Sequence, residues 1–458
     1  MTALTLPPHR TRLAGFLAAS ALILIGSYTT ASLRPATTAP ARPAPAVTSE
    51  PLPIAVPADA SAGGFDTWAT GSLAQIDQSI LAWSKNLDAN ARDFISATNL
   101  ATLYQGRGRV SHDLADHERA LDAVRVALQI EPGHAPARAL EATILFTLHD
   151  FQAAFDAADA LVRDDPGQLG AVATRFDAEL ELGRVDAARA DIERLTEAGG
   201  PAVTIRLARL ASVTGDPAAA LELARNALAS AEADDLEDTT FYHYAVGEYG
   251  RLAGDPVAAR EAYRVVLQAR GDDPAALLGL ARIDAYEGRL EEAILSLRTA
   301  TAVIPQPESL ALLGDLQAST GDPAASATYD TVRFIGRLGE VQAATYDRQL
   351  LRFELDHDGS TPALLDAAKS SFDRQPGAAA HDLVAWALYR LGRFDEAAEQ
   401  IAAARTLGAD DARLRFHAGA IELSRGNEAT GRAQLEAALA LGPALDPIER
   451  AEAERLLG

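Results

Sequence analysis

Eight glycines recur through the last three fifths of this 458-residue chain: Gly183, Gly215, Gly254, Gly288, Gly321, Gly359, Gly392 and Gly426. They stand 32 to 39 residues apart, each between two amphipathic segments. A glycine there accepts the positive φ that ends one helix. Pairs such as Asp216-Pro217, Asp255-Pro256 and Asp322-Pro323 then start the next. Small residues follow five places after most of these glycines (Ala188, Ala220, Ala259, Ala293, Ser326, Ala397, Gly431) and precede several by seven (Ala208, Gly247, Ala281, Gly314, Ala385, Gly419). Small residues facing each other across a helix pair let two backbones approach closely. The chain is therefore expected to be a ladder of antiparallel helix pairs.

The spacing resembles the tetratricopeptide repeat. Residues 276–305 carry the pattern most fully, with Leu280 and Ala281 in a first helix, Gly288 at the turn, Ala293, Leu297 and Ala300 in a second, and Pro305 closing. Ala120, Val124, Ala127 and Pro132, and then Ala154, Ala158, Leu161 and Pro166, repeat the second-helix pattern. The resemblance implies an all-α, right-handed superhelical solenoid of about ten units over 92–445. Residues 65–91 read as an N-terminal capping helix and 446–458 as a C-terminal one, since terminal repeats need a polar outer face. GRGRVSHD (106–113) reads as an enlarged loop, and Arg352 and Leu364 stand in the eighth unit where small residues belong, so its packing is expected to be looser.

Two segments precede the array. Leu13 to Leu33 is uncharged and follows His9, Arg10 and Arg12, so 1–34 reads as a transmembrane anchor or a cleaved signal peptide. Residues 35–64 hold seven prolines and read as a flexible linker. On that basis the array is expected outside the cytoplasm, held at the cell membrane, or secreted or periplasmic after cleavage.

Composition removes several function classes. The net charge is −23, and beyond residue 64 there are 37 basic against 62 acidic side chains, leaving −25. Such a surface repels phosphate backbones, so nucleic-acid binding is disfavoured. With no cysteine there is no disulfide, thiolate metal site or cysteine nucleophile. HExxH, the phosphate-binding loop, GxSxG and a full GxGxxG are all missing, so neither catalysis nor a cofactor is expected. His112 and His117 each have an aspartate four residues away and are weighed as a metal site against an ordinary acidic helix start. Asp356-His357-Asp358 opens like a calcium loop, but the twelfth position is Ala367.

The resemblance also implies that first helices line a concave groove. Carried onto this sequence, that face holds Asp177, Arg209, Tyr244, Glu248, Arg282, Asp315, Phe353, Trp386, Tyr389 and Phe416. Its middle alternates in charge and its C-terminal end is aromatic, which suits anchoring a peptide or helix; alternatively Trp386 and Phe416 fill gaps between units. The function expected is a non-catalytic protein-interaction scaffold or adaptor. A self-associating structural scaffold and a metal-handling accessory are the alternatives.

Overall fold

The computed structural model describes residues 73–111, 113–233, 239–338, 347–357 and 361–458. Among them are twenty-two α-helices and one short 3-10 turn, with no strand. The first helix, α1 (Leu73–Ala89), precedes ten antiparallel pairs. These are α2 (Phe94–Ser111) with α3 (Leu114–Ile130), α4 (Ala135–Thr147) with α5 (Phe151–Asp164), α6 (Leu169–Glu181) with α7 (Val185–Thr196), and α8 (Pro201–Val213) with α9 (Pro217–Ala233). They continue with α10 (Thr240–Leu252) and α11 (Pro256–Ala269), α12 (Pro274–Tyr286) and α13 (Leu290–Val303), and α14 (Pro307–Ser319) and α15 (Ala325–Leu338). The last are α16 (Asp347–His357) and α17 (Pro362–Arg374), α18 (Ala378–Arg390) and α19 (Phe394–Thr406), and α20 (Ala412–Ser424) and α21 (Glu428–Ala440). The turn Gly442–Ala444 leads into the final helix, α22 (Pro447–Leu457). The fold is an all-α superhelical solenoid.

Local chemistry explains the pairs. Asp150, Asp255, Asp273 and Asp411 cap helix starts by accepting backbone N–H bonds of 2.9 to 3.2 Å. The small positions are holes for side chains from the partner helix. Ala188, Ala220, Ala259, Ala293 and Ala397 are fully buried. A Cβ on Gly247 would lie 2.6 Å from the Tyr263 ring, and one on Gly314 would lie 2.3 Å from Tyr329. The apolar core is thus strung along the ladder as a series of clusters. The first helix of most units touches the first helix of the next, so first helices form the inner wall. Among the described residues α16 and α17 touch less than any other pair, at the unit carrying Arg352 and Leu364.

The ladder closes on itself. Turns of the third, fourth and fifth units pack against the segments that follow α17, α19 and α21. A Cβ on Gly183 would sit 2.9 Å from the Gly377 Cα, one on Gly215 3.0 Å from the Gly408 carbonyl oxygen, and one on Gly254 3.3 Å from the Leu441 carbonyl oxygen. Gln375 Nε2 donates to the His149 carbonyl at 3.0 Å, extending the seam to the second unit. His149 occupies the turn position there with φ 63°, the only non-glycine with positive φ among the described residues.

Three expectations change. GRGRVS does not loop out: α2 runs unbroken to Ser111, because Arg107 is held by Asp77 and Asp116 and keeps the added turns on the array. No helix among the described residues is long and apolar enough to cross a membrane, which overturns the membrane location; the apolar run 13–33 and the linker lie outside those residues. The membrane is accordingly dropped as a partner.

Gly183 and Gly288 share a positive φ, 70° and 78°, but Gly288 has open space around its Cβ position. Gly288→Ala is expected to cost about 1 kcal/mol from backbone strain alone. Gly183→Ala adds a backbone clash across the seam and is expected to cost roughly 2–4 kcal/mol. Urea unfolding of both checks this, and equal losses contradict the seam.

Candidate interaction surface

All ten residues named for the groove lie on first helices, from Asp177 on α6 to Phe416 on α20. The structure brings them into three strips along the inner wall, two polar and one aromatic. Seven are buried: Asp177, Arg209, Tyr244, Arg282, Phe353, Trp386 and Phe416. Glu248, Asp315 and Tyr389 are half-buried.

The first strip joins α6 to α8. Asp177 bridges two arginines, with Arg206 Nη2 at 2.9 Å and Arg209 Nη1 at 3.1 Å, and Arg209 Nη2 also meets Glu181 at 2.5 Å. Arg348, on the eighth unit, approaches the other Glu181 oxygen at 3.8 Å, so the strip crosses the closed interior. Tyr249 Oη is buried beside Arg209 without a hydrogen-bond partner among the described residues, and burial first, then nearby carboxylates, push its pKa above the usual phenol range.

The second strip centres on Glu248 of α10. It accepts from Tyr263 Oη and from Arg251 Nη2, the latter at 3.0 Å. Burial alone would raise its carboxyl; Arg251, Arg282 and Tyr263 hold it below the usual range. Arg282 pairs with Glu308 at 2.6 Å.

The third strip is aromatic. His357 bridges the Phe353 carbonyl (2.8 Å) and Asp315 (2.7 Å), and Tyr329 Oη donates to Asp315 at 2.9 Å. Trp386 stacks on Tyr389 and on His417, with centroids 4.7 and 4.1 Å apart, and its Nε1 donates to Asp356 at 2.8 Å. His417 in turn meets Asp382 at 2.7 Å. These aromatics are satisfied by each other and by the carboxylates of half-buried Asp315 and Asp356 and buried Asp382.

The chain's own C-terminal segment seats on this wall. Asp446 takes Arg282 Nε at 2.9 Å and Arg413 Nη2 at 3.1 Å, and Glu449 takes Arg413 Nε. Arg251 Nη1 donates to the Pro443 carbonyl at 3.2 Å. Burial raises and the arginines Arg282, Arg413 and Arg251 lower the Asp446 carboxyl, which ends far below its ordinary value. Arg206, Arg251, Arg413, Tyr263, His417, Asp446 and Glu449 were not among the residues picked from sequence. Arg206 carries a readable signal, since it lies one helical turn before Arg209; the tail residues carry none.

The described members of the two metal candidates have partners within the chain. His112 and the residues 358–360 lie outside the described residues. Asp116 is engaged by Arg107 and Arg119, and His117 Nδ1 meets Gln105 Oε1 at 2.7 Å. Among the described residues no three His, Asp or Glu side chains converge as a metal site.

Tetratricopeptide-repeat family models match residues 251–316 and 385–446, so these repeats are present in the chain. No curated protein matches the sequence. Among solved structures, the type IV pilus biogenesis factor PilW is 17% identical, with 43% of this chain and 90% of that one covered and a TM-score of 0.38. Yeast Tom70 is 13% identical over 84% of this chain and 92% of its own, at a TM-score of 0.34. The human IFIT1 dimer solved with PPP-AAAA is 16% identical over 74% and 88%, at 0.42.

Two substitutions test these electrostatics. Asp177→Ala removes the buried carboxylate that Arg206 and Arg209 share and is expected to cost about 3–5 kcal/mol in urea unfolding; a loss under 1 kcal/mol contradicts the strip. Glu179, buried on α6 with Oε2 unpartnered among the described residues, has its pKa pushed up to about 7, first by burial and then by Asp191. Its folded pKa exceeds its unfolded one, so it makes stability fall as pH rises through roughly 4.5 to 7. Glu179→Gln is expected to melt higher than the parent at pH 8, with the gap closing at pH 4.5, and a pH-independent gap contradicts the assignment.

Proposed function

We propose that this protein is a non-catalytic interaction scaffold whose inner wall holds a polypeptide segment. One observation carries the reading: the wall already does so within the chain, gripping residues 443–449 through Arg251, Arg282 and Arg413. Tetratricopeptide repeats bind other proteins as a class, and a wall of paired arginines and carboxylates offers register as well as attraction. The acidic exterior favours partners with basic surface around the docked segment, and added salt weakens that long-range attraction.

The direct check is affinity capture from extracts of the source cells with the full chain and with Arg282→Ala/Arg413→Ala. The expected outcome is a set of proteins retained by the parent and lost by the double variant, which circular dichroism shows to be folded. Identical capture by both, or none above bare resin, contradicts an inner-wall scaffold. Light scattering on the same samples addresses self-association, for which the exposed Val257 and Leu295 on outer helices are the structural argument; assembly that grows with concentration favours that second reading.

A further inference from the structure

We propose that Arg251, Arg282 and Arg413 form a docking cradle for an acidic helix start on a partner protein, and that residues 441–458 are its built-in competitor. The inference rests on the scaffold reading above and specifies the kind of segment the wall takes.

The cradle draws on α10 and α12, first helices of neighbouring units, and on α20, which closure of the ladder brings to them. Arg251 and Arg282 are over nine-tenths buried. Arg251 keeps Glu248 and Arg282 keeps Glu308 when the tail leaves, but Arg413 loses both carboxylates it contacts and Arg282 one of its two, so a replacement that brings carboxylates is favoured. The tail supplies two in a defined geometry. Asp446 caps α22, and Glu449, three residues on, accepts the Asp446 backbone N–H at 3.3 Å while also facing Arg413. The ligand class is therefore a helix opening with a carboxylate at the cap and another at its third position.

Two features make the tail a displaceable occupant. Leu445 and Ala453 anchor the segment in the core, but along α22 itself the fully buried apolar contact is limited to Ala453, with Leu456 and Leu457 half-buried and Ile448 exposed. The fit is also incomplete, since Arg251 Nε is buried with no hydrogen-bond partner among the described residues, while Nη1 reaches only the Pro443 carbonyl. A segment with a carboxylate beside Arg251 gains a charged bond that the tail leaves unmade.

The test uses the full chain and a fluorescein-labelled peptide of the sequence 441–458 as probe. Asp446→Asn/Glu449→Gln removes both charges from the tail yet leaves residues that cap and close the box equally well. The double variant is expected to bind the peptide about tenfold or more tighter than the parent, because the site no longer has to be vacated. Adding Arg413→Ala to it should abolish binding. Equal affinity of parent and variant overturns the proposal, as does equal binding of a probe carrying the same two neutral substitutions. A gain in mass by exchange of tails between copies also overturns it, the occupant then being a second copy. Should the variant fail to fold, hydrogen exchange on the parent decides: excess peptide must accelerate exchange in 447–457, and unchanged protection is the contrary result. Cellular proteins captured equally by the parent and the tail variant leave the scaffold reading intact and remove the cradle; a cradle that binds the probe while no partner is captured does the reverse.

Discussion

Everything inside this molecule depends on backbone meeting backbone along one seam. The turns at Gly183, Gly215 and Gly254 approach Gly377, Gly408 and Leu441 so closely that a single added methyl collides with main chain at Gly183 and is crowded against it at Gly215 and Gly254. An open ladder exposes its inner wall to water, where paired charges contribute little. Closing the ladder turns the same wall into an interior, in which Asp177 joins Arg206 and Arg209 and each carboxylate counts as half of a buried pair. The acidic chain can bury that many arginines only because every strip supplies its counter-charges.

The closed interior also sets how a partner is received. A groove open to solvent selects by surface chemistry, whereas this wall is occupied by the chain's own acidic turn. Recognition then becomes an exchange of one segment for another, and specificity lies in how well the incoming carboxylates replace Asp446 and Glu449 at Arg282 and Arg413.

Local pattern made the ladder legible. Glycine spacing, Asp-Pro starts and small residues five places past most turns are set by contacts within one helix pair, so they repeat in sequence. The second-unit turn escaped that series because His149 holds the positive-φ position without being glycine, although the Asp150 cap after it follows the same punctuation as Asp216 and Asp255. GRGRVS read as a loop because Tyr104 and Ala120 stand too far apart for the repeat, whereas the extra residues lengthen α2, held by ion pairs of Arg107 that only folding reveals. The first-helix face was readable from repeat phase, yet its burial was not. Arg251 and Pro443 stand 192 residues apart, and no periodicity links them. Long-range closure leaves no mark on a repeat pattern.

The closure can be measured directly because the chain has no cysteine. Val213 and Thr406 are exposed and flank Thr214 and Gly408, which touch across the seam. Double electron–electron resonance on Val213→Cys/Thr406→Cys, spin-labelled at both sites, reports their separation. A closed ladder gives one narrow distribution, with the two Cα atoms no more than about 20 Å apart by chain geometry. A broad distribution centred well beyond that distance contradicts the account.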